Sequence, residues 1–169
     1  CQDDLAAPDG SVVTTHHSAA DISLLLEKIS ALIVPEYGEN LDHPAFAISV
    51  ADDLSIDCHS SSLFRILYNL SVNAAHAIAA HYGGHIELTA VRDGSNIRFV
   101  IADNGPGLPK HIIDHLYPRI DRPEPAGKRI GYGLMSAVGL AKKLQGTLHV
   151  IKSSPSGTTF CLVLPETPG

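Results

Sequence analysis

The stretch IRFVIADNGPGLP, residues 97–109, joins a strand to a break in the space of thirteen positions. Ile97, Phe99 and Ile101 alternate with Arg98, Val100 and Ala102, the two-residue period of a strand with a buried face, and the chain then turns through Asp103-Asn104-Gly105-Pro106-Gly107. A carboxylate closing a buried strand is costly unless something pairs with it. Asp103 can accept hydrogen bonds from an exocyclic amine, the group that separates adenine from guanine. Gly105 and Gly107 leave no Cβ between backbone and a flat ring. A plain turn after a strand explains the same residues, so this segment alone does not decide between them.

Upstream, HIELTAV (residues 85–91) and NIRFVIAD (96–103) flank Asp93-Gly94, a hairpin signal. Before them runs a helical pattern from Ser61 or Ser62 to about His81, with Leu63, Ile66, Leu67, Leu70, Ala74, Ala77 and Ile78 on one stripe and Gly83-Gly84 ending it. Asn69 and Asn73 lie four apart, hence on one face, inside this apolar run. Buried amides need partners or a ligand, and an amide oxygen suits Mg²⁺.

Earlier still, AFAISV (45–50) and LSID (54–57) read as a short strand pair. A helix opens at Asp21 as N-cap, carries Ile22, Leu25, Leu26, Ile29, Leu32 and Ile33, and stops at Pro35 and Gly38. Residues 1–17 read as a linker remnant with a strand over 11–15, residues 18–165 as the domain and 166–169 as a tail.

Downstream, residues 105–130 carry five prolines and no clear period, which predicts a long functional lid. GYGLMSAVGLAKKLQG (131–146) then reads as a helix opened by Gly131 and Gly133, whose start favours phosphate. TLHVIKS (147–153) and GTTFCLVLP (157–165) form a last hairpin. Helices grouped against a mostly antiparallel sheet give an α+β fold in two layers.

Composition narrows the functional classes. A chain of 169 residues, 44% hydrophobic and 18% charged, predicts one packed domain. A net charge of −6 without a basic block argues against nucleic acid. Three cysteines, Cys1, Cys58 and Cys161, without CxxC spacing suit a reducing cytoplasm. No apolar run is long enough to span a bilayer, so no membrane contact is expected of this chain. The sole methionine is Met135 and the chain begins at Cys1, which predicts an excised part of a longer protein.

Taken in order, NLSVNA, DNGPGL, GYGL and GTTF resemble the N, G1 and G2 boxes and closing strand of the GHKL ATPase superfamily. That resemblance, over roughly residues 20–165, implies the Bergerat fold: a mixed, mostly antiparallel sheet packed on three helices, with a long ATP lid. It implies ATP and Mg²⁺ as ligands. Asn73 would hold the metal with help from Asn69, and Asp103 would read the adenine amine. Gly105 and Gly107 would shape the base pocket, Gly131, Gly133 and Leu134 would meet the phosphates, and Thr158 would support Asp103 through water.

Asn69 stands where gyrase-like members carry a glutamate able to activate water, and NLxxNA is the form that sensor histidine kinases carry. The resemblance therefore implies the catalytic and ATP-binding domain of a two-component kinase. Its partners would be a dimerisation and acceptor-histidine domain of the parent chain and a response-regulator receiver domain. The fragment itself would be a monomer in the cytoplasm, with membrane anchoring of the parent left open. Three features depart from the pattern: HLYPRI (115–120) where a phenylalanine-rich box is expected, Arg129 in place of a glycine, and His76 at a position that is often basic. Lys128 and Arg129 are candidates for balancing phosphate charge. A docking scaffold that has lost the nucleotide is the alternative reading, and an anti-sigma-factor serine kinase ranks below both.

Overall fold

The computed structural model describes residues 14–37, 45–79, 83–116 and 132–167. Its elements are β1 (Thr15–Ser18), α1 (Ala19–Tyr37), β2 (Ala45–Val50), β3 (Ser55–Cys58), α2 (Ser60–Ile78), β4 (His85–Asp93), β5 (Asn96–Asp103), α3 (Lys110–Leu116), α4 (Tyr132–Lys143), β6 (Thr147–Ser154) and β7 (Gly157–Pro165). Five strands form one sheet in the order β2-β4-β5-β7-β6, and β1 pairs with β3 in a separate two-stranded sheet.

Alternation fixes the inner face of the large sheet. Ile86, Leu88 and Ala90 of β4, Ile97, Phe99 and Ile101 of β5, and Phe160, Leu162 and Leu164 of β7 are all buried. Their register aligns Leu88 with Ile101 and Phe160, and Ala90 with Phe99 and Leu162, so the buried side chains form rows across three strands. Helices α1, α2 and α4 supply the second layer: α2 packs on β4 and β5, α1 on β2 and α4 on β6. In α1 the buried stripe is Ile22, Leu26, Ile29 and Ile33, whereas Leu32 is 54% exposed. This α+β architecture, a mixed sheet against helices, is the expected one, with α3 as a fourth, shorter helix.

Three local expectations are corrected. Strands β2 and β3 do not pair with each other. Strand β2 runs parallel to β4, joined to it through α2, while β3 pairs antiparallel with β1. Parallel neighbours need a crossover, and the helix long enough to make it lies between these two strands. Leu54, just before β3, and Ile56 and Cys58 within it are buried.

The first helix starts at Ala19 and its cap is Ser18, not Asp21. Asp21 Oδ2 accepts from the Ser18 backbone N–H at 2.9 Å and from its hydroxyl at 2.7 Å, while Ser18 Oγ accepts from the Asp21 N–H at 3.3 Å. This is a reciprocal capping box, and the Ser18 bonds hold the Asp21 carboxyl below its ordinary pKa. Finally, part of the expected lid is helical. Leu108, Ile112 and Leu116, spaced by four, seat α3 against the core.

The chain past β7 ties the two sheets together. The Glu166 carbonyl accepts from Asp57 N–H at 2.8 Å, and its carboxylate accepts from Ser55 Oγ at 2.8 Å and from both terminal nitrogens of Arg92. Arg92 first, then Ser55, holds the Glu166 carboxyl below the ordinary glutamate range. A lowered folded-state pKa contributes stability above the unfolded value of ~4.3, and that contribution is lost as pH falls through the folded value. Glu166→Gln is therefore expected to lower the urea midpoint at pH 7 and to leave a smaller gap from the unsubstituted protein at pH 3. An equal gap at both pH values would contradict it.

Candidate nucleotide site

The site is assembled around the end of β5. Asp103 is half-buried and its Oδ1 accepts the Gly105 N–H at 2.8 Å and the Thr158 N–H at 3.3 Å, so the carboxylate is fixed by two backbone donors. Asp103 pairs with Thr158 across the β5–β7 ladder. The Thr158 backbone thus supports Asp103 directly, rather than only through a water as expected. Its hydroxyl is buried and has no partner among the described residues.

The glycines owe their place to the protein's own packing as much as to any ligand. A Cβ on Gly105 would stand 2.9 Å from Ala77 Cβ and 3.0 Å from the Ala77 carbonyl oxygen, which holds the loop against α2. Gly107 has φ +82°, and a Cβ there would stand 2.4 Å from the Ser154 carbonyl oxygen. Gly157 is tighter still: at φ +133° its Cβ would stand 2.0 Å from the Asp103 carbonyl oxygen. Sequence reasoning passed over Gly157, although its position one residue before Thr158 in GTTF was the available signal.

Helix α2 carries the other half of the site. Asn69, Asn73 and Ala77 follow one another at intervals of four, one turn apart on one face. Asn69 abuts the start of α4, where a Cβ on Gly133 would lie 3.6 Å from its Cγ and Oδ1, an ordinary contact distance. Asn73 is half-buried and its Nδ2 is buried without a partner among the described residues. His76 is exposed on the last turn of α2, and its carbonyl accepts the Ala79 N–H.

Leu134 is buried, so its side chain packs the core and only its backbone can face a ligand. Lys128, Arg129, Gly131 and the 117–120 part of the HLYPRI segment lie outside the described residues. Burial, then Asp57, pushes the Cys58 thiol up to about 12, and burial raises Cys161 too, so neither offers a thiolate at neutral pH.

A family model described as histidine kinase-, DNA gyrase B- and HSP90-like ATPase matches residues 58–168. The chain belongs to this ATPase family. Within the family its similarity runs to sensor kinases. It is 32% identical over 104 residues to the C4-dicarboxylate transport sensor protein DctB of Rhizobium meliloti (strain 1021), covering 62% of this chain and 16% of that protein. It is 25% identical over 164 residues to sporulation kinase A of Bacillus subtilis (strain 168), covering 96% of this chain and 25% of that one. The chain thus spans a quarter or less of the length of either relative.

Among solved structures, the nucleotide-free catalytic domain of histidine kinase ThkA superposes with a TM-score of 0.70 at 18% identity, covering 92% of this chain and 99% of that domain. Full-length ShkA in complex with AMPPNP gives 0.70 at 27% identity, covering 90% of this chain and 31% of that protein. The ATPase fold here is therefore that of a histidine-kinase catalytic domain, an ATP-binding unit of the sensor-kinase type. These similarities do not favour the docking-scaffold reading. Among the described residues, no helix is long and apolar enough to cross a membrane.

Proposed function

We propose that this chain binds Mg-ATP between α2, the Asp103 loop and the start of α4, and donates the γ-phosphoryl to a histidine on a dimerisation domain elsewhere in its parent protein. The observation that carries this reading is the alignment along α2. Ala77 meets the Asp103 loop at Gly105, Asn69 meets α4 at Gly133, and Asn73 lies between them. Eight residues of helix rise about 12 Å, a span that the base, sugar and phosphates of one nucleotide cover.

Each residue then has a role set by its place. The Asp103 carboxylate accepts from the adenine amine. The first N–H groups of α4, at Gly133 and Leu134, have no intrahelical acceptor and point their dipole at phosphate. Asn73 offers a hard amide oxygen to Mg²⁺, and its Nδ2, without a partner among the described residues, is a donor that a phosphate oxygen would satisfy. Magnesium, when bound, supplies neutralisation of phosphate charge. His76 stands one turn past Asn73, while Lys128, Arg129 and Gly131 are assigned to the phosphates on sequence alone.

Asn69 has no group able to take a proton from water at neutral pH, which favours transfer to a nucleophile supplied by another domain. In that transfer the bond from γ-phosphorus to the β,γ-bridging oxygen breaks, a bond to an imidazole nitrogen forms, and ADP leaves. Positioning and electrostatics account for this chain's contribution. A receiver domain is the next acceptor in this reading, the chain acts as a monomer in the cytoplasm, and nucleic acid is not a partner.

The test is calorimetric titration with ATP and ADP, with and without Mg²⁺, followed by phosphotransfer from γ-labelled ATP to a purified acceptor-histidine domain. Asn73→Ala is expected to weaken ATP binding about tenfold or more in Mg²⁺ and to leave little difference between Mg²⁺ and EDTA. Absence of binding by the unsubstituted chain at millimolar nucleotide would overturn the reading, as would an unchanged metal dependence in Asn73→Ala for the role of that residue.

A further inference from the structure

The β4–β5 ladder ends with the pair Ile86 and Asp103, yet one more rung is made beyond it, and a side chain makes half of it. Asn104 Oδ1 accepts the His85 backbone N–H at 2.7 Å, and the Asn104 backbone N–H donates to the His85 carbonyl at 3.3 Å. Both polar groups of the His85 backbone are thus taken by a single residue. Asn104 Nδ2 also donates to the Gly83 carbonyl at 3.0 Å.

The partner of that last bond is itself fixed to α2. Gly83 holds φ +74°, and a Cβ on the adjoining Gly84 would stand 2.9 Å from Ile78 Cβ, so the turn is pressed onto the last turn of the helix. Asn104 therefore connects the residue directly before it, Asp103, to the end of the helix that carries Asn69 and Asn73. Gly105 makes a second contact to the same helix at Ala77, but only by van der Waals packing. Directional restraint comes from the amide of Asn104, whose donor and acceptor ends are both used.

We propose that Asn104 is the positioning residue that sets adenine selectivity: its side chain holds the Asp103 carboxylate in register with α2. This rests on the reading that Asp103 meets the adenine amine. Guanine carries a carbonyl oxygen where adenine carries that amine, so a rigidly placed carboxylate rejects guanine by repulsion between two acceptors. A carboxylate free to shift lets a water intervene, and the rejection fades. The quantity that Asn104 controls is thus the ratio of Kd for GTP to Kd for ATP, in which the shared triphosphate and its electrostatics cancel.

The experiment measures that ratio by calorimetric competition, together with Tm, in the unsubstituted protein and in Asn104→Ala, Asn104→Asp, Asp103→Ala and Arg92→Ala. Losing two exposed side-chain hydrogen bonds is expected to lower the ratio about tenfold in Asn104→Ala. Asn104→Asp keeps the acceptor for His85 and sets an oxygen against the Gly83 carbonyl. It is expected to lower the ratio at least threefold, and it carries the test if the alanine variant does not fold. Arg92→Ala removes the Glu166 contacts near the opposite end of β4, and is expected to lower Tm with the ratio unchanged. A ratio within twofold of the unsubstituted value in both Asn104 variants would overturn the proposal, as would an equal fall in Arg92→Ala. If Asp103→Ala retains full selectivity, the reading of Asp103 fails and the proposal with it; if only Asp103→Ala loses selectivity, the proposal alone fails.

Discussion

Replacing Asp103 by alanine is expected to weaken ATP and ADP binding by about a hundredfold or more. In the proposed function the carboxylate offers a charge-assisted acceptor to the adenine amine, an interaction of about 1.5–3 kcal/mol. Its removal also strands the Gly105 and Thr158 N–H groups that Oδ1 accepts in the folded protein, so the loop loses the reason for its shape. A second contribution of about 1 kcal/mol from that loosening brings the total to the two decades expected.

Asp103→Asn separates the two effects. The amide keeps an oxygen for Gly105 and Thr158, which preserves the loop, and thereby turns its NH₂ toward the base. A donor now faces the adenine amine, and the same donor complements the guanine carbonyl. Adenine nucleotides are therefore expected to lose affinity in Asp103→Asn as they do in Asp103→Ala, while GTP gains relative to ATP only in the asparagine variant. Calorimetry with both nucleotides reads this directly. Binding of ATP by Asp103→Ala at the unsubstituted affinity would show that this carboxylate does not recognise the base.

The residues of the proposed nucleotide site stand out in the sequence because their signals are chemical and local. Asn69 and Asn73 break an otherwise apolar helical stripe, and Asp103 closes a strand whose alternation leaves no doubt about its buried face. Long elements with a strong period, such as α2 and the β4–β5 hairpin, follow from the spacing of Leu, Ile and Phe alone. Strand partnership was less legible, because pairing is decided by the path of the chain. Nothing in AFAISV says that it will lie parallel to β4, and that outcome depends on α2 carrying the chain across.

The supporting residues were the least legible. Asn104 looks like turn punctuation until its two amide ends are seen on Gly83 and His85. Ser18 and Asp21 both suit a helix start, and only the reciprocal bonds identify Ser18 as the cap. Gly105 and Gly107 invite a ligand-centred explanation, yet Ala77 and Ser154 already forbid a side chain at those positions. A glycine required by packing and one required by a ligand carry the same letter.

Gly157→Ala should be the most destabilising single methyl that can be added near the site. At φ +133° an L side chain is strained by about 1–3 kcal/mol wherever it stands. Here its Cβ would also lie 2.0 Å from the Asp103 carbonyl oxygen, a backbone atom of the adjoining strand that cannot swing aside as a side-chain end could. Relief requires β7 to separate from β5 at the Asp103–Thr158 pair, and that separation stretches the Thr158 N–H bond to the carboxylate. The expected loss is about 3 kcal/mol or more, a large part of the ~5–15 kcal/mol that holds a typical domain together. For a chain of this size it corresponds to a fall in Tm of about 6–12 °C. Because the displaced atoms belong to Asp103, nucleotide affinity should fall in the protein that remains folded. Gly139→Ala provides the opposite sign from the same chemistry: Gly139 lies exposed within α4, with nothing among the described residues within 4 Å of its Cβ position, so alanine there should raise stability by about 0.5–1 kcal/mol through helix propensity. Urea unfolding of the two variants side by side measures both, and a Gly157→Ala midpoint equal to that of the unsubstituted protein would mean that the β5–β7 junction yields more easily than its backbone contacts require.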